Sequence, residues 1–571
     1  MASRATRLFI TPTRFTSARK SRVIFRRGKS TSALPKPATS PWPPARAGFL
    51  AIAIGGAGFA AGITYNKSSG QDINYSRASK FPAPNYGSVK DMQAVRVKKT
   101  LENLFAKSGQ AIKEIRSVLG DESLSTDDED LKLHGYSEWS PSNIDTLPIA
   151  VVYPKSTEEV SRIMKTCHKW KVPIIGYSGG SSLEGNYSAP HGGFSVDFMH
   201  MDKIVEFHEE DLDIVVQPSC GWVDLNTKIA DRGLFFPVDP SPSAKFGGMV
   251  GTNCSGTNAV RYGTMKDWVL NMTVVLADGT IIKTRNRPRK SAAGYNLNGI
   301  FVGSEGTLGL ITEITLKLAV IPKEFSVASA TFPTIRDAAN TASAVVRAGV
   351  PVAALEFLDE VQMGVLNRGE YTAPIVFEEK PTLFFKFSGT KASVADNIKE
   401  VEAISKSHHG AAFRFARDNK EQDLLWSARK QALWSLLASR PEGTELWTTD
   451  VAVPYSKLAT MIETSTKGLK DLGLFSSIVG HLGDGNFHEA IMYHKTDPVE
   501  SAAVEKHVKT MITRALEMDG TSTGEHSIGF FKKHELLQEV GPEIVAVMKS
   551  IKQALDPYWL LNPGKIFDTP S

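Results

Sequence analysis

Residues 247–258 read Gly247-Gly248-Met249-Val250-Gly251-Thr252-Asn253-Cys254-Ser255-Gly256-Thr257-Asn258. A run with so many glycines and small polar side chains cannot build a core of its own. It is well placed only where backbone must lie flat against a large ligand. Upstream, Tyr177-Ser178-Gly179-Gly180-Ser181-Ser182-Leu183-Glu184-Gly185-Asn186 has the same texture. Alone, that loop reads first as a flexible surface turn. No lysine follows its glycines, so it is not a mononucleotide P-loop, yet consecutive backbone N–H groups can turn toward a diphosphate without a cationic side chain. A third segment, Gly303-Ser304-Glu305-Gly306-Thr307-Leu308-Gly309, leads into an apolar strand pattern over 310–318. Three such segments in one part of the chain point to an extended dinucleotide cofactor.

The surroundings are patterned as alternating strands and helices. An apolar run over 148–153 reads as a buried strand. Ser156 followed by Glu159 is a capping box that opens a helix to about residue 170, and 172–176 is a second strand feeding the first loop, a βαβ-like start. Residues 203–207 and 213–217 read as paired strands and 221–232 as a helix. Residues 269–276 and 280–283 form a hairpin around Asp278-Gly279. From Pro322 the alternation lengthens, with a strand near 325–331, a helix over 334–348 and a strand over 353–357, and continues to about residue 530.

The 571 residues are 42% hydrophobic and 22% charged, which excludes disorder, collagen or coiled coil for the whole chain. Cys167, Cys220 and Cys254 are too few for a disulfide scaffold or a structural zinc cluster, and read as small buried apolar residues. Residues 1–71 hold twelve of the 66 basic side chains and none of the 61 acids. Residues 72–571 therefore carry 54 basic against 61 acidic groups, a net of −7, which argues against nucleic acid as a partner.

The Arg-, Ser- and Thr-rich opening over 1–46 has the composition of a mitochondrial targeting segment, the alternative being a disordered basic tail. Residues 47–66 are uncharged. As a helix they span about 30 Å, one membrane crossing, with Gly58 and Gly62 as a small-residue face for another helix. Gly56-Ala57-Gly58-Phe59-Ala60-Ala61 also fits a dinucleotide fingerprint, but an Arg-rich leader stands where that motif needs a strand. The positive-inside rule leaves the basic end in the matrix and the body in the intermembrane space. Residues 67–130 read as a polar linker with a helix near 88–119.

The sharpest constellation is Gly480-His481-Leu482-Gly483-Asp484-Gly485-Asn486-Phe487-His488. Asp484-Gly485 flanked by apolar residues signals a two-residue hairpin turn. A regular hairpin there sets His481 directly opposite His488, with Cβ atoms about 4.5–5.5 Å apart. Both imidazoles then reach one ion at about 2.0–2.1 Å.

The loop 177–186, the segment 239–258, Ala259-Val260-Arg261-Tyr262-Gly263-Thr264 and Phe301-Val302-Gly303-Ser304-Glu305-Gly306-Thr307-Leu308-Gly309 together resemble the FAD-binding domain of the vanillyl-alcohol oxidase and p-cresol methylhydroxylase superfamily. The resemblance covers about residues 130–571. It implies an α+β fold: a two-subdomain FAD-binding domain of the p-cresol methylhydroxylase type over 131–320, and a cap or substrate domain with an antiparallel sheet and flanking helices over 321–530. A C-terminal segment over 531–571 returns to the FAD domain. It implies non-covalent FAD, held by Tyr177, Ser178, Gly179, Gly180, Ser181, Ser182, Gly185, Asn186, Pro240, Gly248, Gly251, Thr252, Ser255, Gly256, Asn258, Val260, Glu305, Ile311 and Asn562.

In the cap, the resemblance implies that Glu525 completes a divalent metal site with His481 and His488, and that His526 is the catalytic base. Zinc is the first expectation, with manganese close behind, since nitrogen and carboxylate ligands accept both. Ser527 departs from the glycine usual at that position. Arg429, in Trp426-Ser427-Ala428-Arg429, matches the arginine that binds the substrate carboxylate, a role its forked guanidinium suits. Without the resemblance it reads as a surface salt-bridge residue. Asn486 is a further polar contact to substrate. Thr448 stands where relatives acting on 2-hydroxyglutarate carry a lysine for the distal carboxylate, which favours a monocarboxylate such as D-lactate; a D-2-hydroxyglutarate or glycolate dehydrogenase on the same fold is the alternative. The implied reaction is oxidation of D-lactate to pyruvate with electrons passed to cytochrome c, a basic carrier that an acidic body attracts, at the inner mitochondrial membrane. A flavin-binding interaction module without activity is the contrasting reading, against which the histidines, Glu525 and Arg429 speak.

Overall fold

The computed structural model describes residues 93–137, 140 and 143–569. The expected targeting segment 1–46, membrane helix 47–66 and the start of the linker lie outside these residues. Among the described residues no helix is long and apolar enough to cross a membrane.

Among the described residues, the N-terminal half holds two main sheets and a two-stranded one that pairs Leu234–Phe235 with Ala319–Val320. In the first, strands Ala150–Val152 and Ile174–Tyr177 run parallel to Phe194–Asp197 on either side of it, with Leu124–Ser125 at the far edge. Helix Thr157–Trp170 starts where the Ser156 side chain accepts the Glu159 N–H. The Glu159 carboxylate reaches the Lys155 N–H rather than that of Ser156, so only half of the expected capping box forms. The second sheet is antiparallel, ordered Ile204–His208, Asp213–Val216, Leu310–Lys317, Val269–Val275 and Ile281–Lys283.

The C-terminal half is built on a larger antiparallel sheet. Its order is Ala411–Phe415, Glu324–Thr331, Thr382–Gly389, Ala354–Leu358, Phe475–His481, Asn486–Tyr493 and Glu445–Thr448, and Val451–Ala452 also pairs with Asn486–Tyr493. Two-residue alternation decides what each face holds. Leu355, Phe357 and Ile478 turn into a core with helices Ile335–Arg347, Tyr455–Leu472 and Pro498–Glu517. Ala354, Leu358 and Val479 turn the other way, against Leu425, Trp426 and Ala428 of helix Asn419–Lys430. Glu356 and His481 share the parity of that second face. The architecture is α+β, as expected.

Both Asp-Gly turns are wider than two residues. Val275 pairs with Ile281 and the Leu276 N–H donates to the Thr280 carbonyl, leaving a loop of Ala277, Asp278 and Gly279. His481 pairs with Asn486, not His488, and Leu482–Asp484 is a 3-10 turn. A two-residue type I′ turn needs positive φ at both central residues. Here only the glycines take it, Gly279 at 84° and Gly485 at 74°. The direct opposition of His481 and His488 is thus corrected to a diagonal one, since His488 faces Val479. The shift is by two residues, so both histidines stay on one face, with ring centroids 5.6 Å apart.

The last residues return to the first sheet. After helix Lys533–Leu555, which bends at Gly541-Pro542, Leu561 bridges Ile174 in parallel, and the Asn562 N–H donates to the Ile174 carbonyl at 2.6 Å.

Candidate active site

A cleft of about 1050 Å³ runs between the small-residue segments and the part of the large sheet that carries His481 and His488. That is ample for a dinucleotide, given that small-ligand sites span about 300–1,000 Å³. Fifteen of the nineteen residues expected to hold FAD line it: Tyr177, Ser178, Gly179, Gly180, Ser181, Ser182, Asn186, Pro240, Gly248, Gly251, Thr252, Gly256, Glu305, Ile311 and Asn562. A Cβ on Gly251 would meet nothing within 4 Å and one on Gly248 only the Ser178 hydroxyl at 3.6 Å, so backbone there faces open cleft. These observations fit an extended flavin nucleotide. Burial pushes the Cys254 thiol of the cleft wall well above its ordinary range, which keeps it protonated and suits non-covalent attachment.

The other four sit behind the wall. Gly185, at φ 68°, makes room for the Phe531 ring, which a Cβ would approach to 2.8 Å. Ser255 donates to Glu525, and Asn258 donates to Asp239 and to the Pro237 carbonyl. Val260 packs against Gly483 of the histidine turn.

Glu305 ties the cradle together. Its carboxylate accepts the N–H groups of Ile528 at 2.9 Å and Gly529 at 2.7 Å, and the Asn186 amide. Its carbonyl accepts the Asn562 amide at 2.7 Å. Burial pushes its pKa up to about 7, against the two backbone donors. Glu305→Ala strands those donors, at about 1–3 kcal/mol each. Thermal release of flavin fluorescence is expected at clearly lower temperature in this variant.

On the sheet side, His481 donates from Nδ1 to Glu356 Oε1 at 2.9 Å, and His488 from Nδ1 to the Thr449 carbonyl at 3.0 Å. These bonds fix the tautomers and leave both Nε2 atoms toward Glu525 Oε1, at 3.3 and 3.0 Å. The ligand atoms of His481, His488 and Glu525 lie within 4.8 Å of one another. Burial opposes charge on His481, but Glu356 and Glu525 outweigh it and hold the imidazole well above its usual range. Burial likewise acts against ionised Glu525, yet the two histidines hold it well below the carboxylate range. An anionic carboxylate between two tied imidazoles is a donor set that fits a divalent ion.

His526 stacks on His488, with centroids 4.9 Å apart and 6° between planes. Burial pushes its pKa down to about 4, with Asp450 opposing and His488 adding, so the ring is neutral at physiological pH. Its Nδ1 is buried without a hydrogen-bond partner. Ser527 follows at φ 71°, the left-handed backbone that explains the family's glycine. Its hydroxyl accepts from the Asn186 amide at 3.1 Å.

Arg429 lies in the cleft wall rather than on the surface, its side chain 15% exposed. Its Nε–H donates to Glu356 Oε2 at 2.7 Å. Asn486 does not line the cleft. Its amide nitrogen donates to Asp450 Oδ1 at 2.8 Å and to the Val451 carbonyl at 3.0 Å, so the expected substrate contact becomes a supporting one. Thr448 lines the cleft, as does Arg440, which stands 3.5 Å from Glu445.

Sequence reasoning missed Glu356 and the work of Asp450. Asp450 Oδ2 accepts the Thr523 hydroxyl at 2.7 Å and the N–H groups of Glu525 and His526 at 2.9 Å each. Burial alone would raise this carboxyl, but His526 and Lys532 hold it well below its ordinary range. Asp450, His488 and His526 also cluster within 4.8 Å, but with four donors on its oxygens Asp450 acts as a bracket rather than a ligand. The signal was there: an acid inside an apolar strand, as in Ala353-Ala354-Leu355-Glu356-Phe357-Leu358, is buried only with a partner.

Residues 148–285 match the family model described as FAD binding domain, and residues 321–566 that described as FAD linked oxidases, C-terminal domain. The mitochondrial D-lactate dehydrogenase (cytochrome) of Kluyveromyces lactis is 42% identical over 91% of this chain and 88% of its own. That of Arabidopsis thaliana is 44% identical over 80% of each chain. The structure of p-cresol methylhydroxylase with substrate bound superposes with a TM-score of 0.66 at 19% identity, over 81% of this chain and 97% of that one, a likeness of fold. With these relatives, the chain belongs to the family of FAD-linked oxidases that includes the mitochondrial D-lactate dehydrogenases (cytochrome).

Proposed function

We propose that the protein oxidises D-lactate to pyruvate in the mitochondrion, with FAD as acceptor, and passes the electrons on to cytochrome c. One observation carries this reading: His481, His488 and Glu525 converge beside His526 and Arg429 in the wall of a cleft also lined by the small-residue segments around Gly179, Gly248 and Gly251. When bound, FAD supplies the acceptor for the hydrogen leaving C2 with its electron pair. A divalent ion, zinc or manganese, at His481, His488 and Glu525 supplies Lewis acidity that lowers the pKa of the substrate hydroxyl.

The chain's own groups do the rest. Arg429 grips the carboxylate through its outer guanidinium nitrogens while Glu356 fixes its Nε. His526, neutral and shielded, accepts the hydroxyl proton. Asp450 holds the backbone of Glu525 and His526 so that ligand and base keep their spacing. Anchoring at the inner membrane through 47–66, with the body in the intermembrane space, completes the proposal. The net −7 of residues 72–571 suits a basic electron carrier there.

Anaerobic mixing of the flavoprotein with D-lactate, D-2-hydroxyglutarate and glycolate tests the substrate. Fastest bleaching of the flavin is expected with D-lactate. Arg440 in the cleft gives D-2-hydroxyglutarate its best case, and fastest bleaching by that acid would replace the proposed substrate. No bleaching by any of the three would leave a flavin-binding module.

A further inference from the structure

Glu356 is 1% exposed, and its two carboxylate oxygens serve different partners. Oε1 accepts from His481 Nδ1 at 2.9 Å and Oε2 from Arg429 Nε at 2.7 Å. Buried ion pairs contribute little net stability compared with apolar side chains of the same volume. Burial of this carboxylate is better explained by what it orients. Arg429 Nη2 also lies 3.4 Å from His481 Nε2, the ring nitrogen that faces Glu525. A guanidinium and an ion at Nε2 would therefore press on the same imidazole edge, with a single negative group behind both.

We propose that Glu356 is a positioning residue that couples the ion site to the substrate clamp: through its two oxygens, the orientation of His481 and the orientation of Arg429 are set together. The inference rests on the ion site proposed above. Its charge makes His481 a stronger ligand, as a carboxylate behind a metal-bound imidazole does. The same charge draws Arg429 away from Nε2 and holds its outer nitrogens for a carboxylate. Because coupling between two binding equilibria is reciprocal, substrate should tighten the ion by the factor by which the ion tightens substrate.

The test uses the FAD-loaded protein, with Zn2+ affinity read by competition with a chromophoric chelator. Glu356→Gln is expected to weaken Zn2+ binding about 10- to 100-fold, the usual cost of losing such a partner. With Zn2+ saturating, it should also raise KM for D-lactate more than it lowers kcat. Arg429→Met should do the opposite to the ion, tightening Zn2+, because it removes a cation next to Nε2 and frees one oxygen of Glu356. A merely structural role predicts that both variants weaken the ion together. His488→Ala separates the two levels of the argument. If it abolishes Zn2+ binding while Glu356→Gln leaves affinity within twofold, the coupling is overturned and the ion site stands. If His488→Ala leaves Zn2+ binding intact, the ion site itself is wrong and the coupling falls with it. Should Glu356→Gln not fold, Arg429→Met alone decides: tighter Zn2+ supports the coupling, and unchanged or weaker Zn2+ overturns it.

Discussion

Replacing His526 with alanine is expected to slow anaerobic bleaching of the flavin by D-lactate about 10²- to 10⁴-fold, the range lost with a general base. FAD content should stay near that of the unchanged protein and Zn2+ affinity should change far less than the bleaching rate, because His526 only stacks on His488 and stands 4.0 Å from Glu525. The expectation follows from where the ring sits. Asp450 fixes its backbone, His488 stacks beneath it at 4.9 Å, and its Nδ1 has no partner. With a pKa pushed down to about 4 by burial, the imidazole is unprotonated at working pH but a weak base by itself. It can take the hydroxyl proton efficiently only if that hydroxyl has been acidified, so base and ion must act on the same oxygen. The loss should appear in kcat more than in KM, since Arg429 still grips the carboxylate. A fall of less than tenfold would mean that another group takes the proton.

His488→Ala should remove both bound ion and turnover. The substitution leaves Glu525 facing His481 alone, and two ligands hold a divalent ion far less tightly than three. Metal content by atomic absorption and turnover with D-lactate should fall together, and chelator treatment of the unchanged protein should give the same loss, reversed by Zn2+ or Mn2+. The raised pKa of His481 adds a pH signature. Glu356 and Glu525 hold its pKa well above the usual imidazole range, so an incoming ion must displace a proton there. Zn2+ affinity should therefore rise with pH, by up to about tenfold per unit for one displaced proton over the range in which that proton is held. Full turnover after complete chelation would remove the ion from the mechanism.

The parts legible in sequence were those where residue type alone limits what backbone can do. Runs such as 177–182 and 247–252, taken together, read as lining for a ligand, and all of them but Val250, which packs into the core, do line the cleft. The pairing of His481 with His488 was legible as to face but not as to register. Parity along a strand survives a wider turn, whereas the opposed residue depends on which central positions accept positive φ. Residues that support the wall from behind, such as Gly185, Ser255, Asn258 and Val260, share the composition of those that line it, and only packing tells them apart. Glu356 and Asp450 escaped because their partners arrive from segments far along the chain: Arg429 lies 73 residues beyond Glu356, and Glu525 75 beyond Asp450. Asn486 was placed by its company in the motif, and its amide turned out to serve Asp450.

Asn562 donates its side-chain amide to the carbonyl of Asn186, 376 residues earlier. During synthesis the first loop therefore emerges long before the residue that braces it. Until translation has passed Asn562, the loop can be held only by earlier partners such as Glu305 and Ser527, and a nascent chain stalled short of that point presents an incomplete cradle. The cradle is therefore complete only once the chain's last residues have docked against the first sheet, so its closure depends on contacts between segments far apart along the chain.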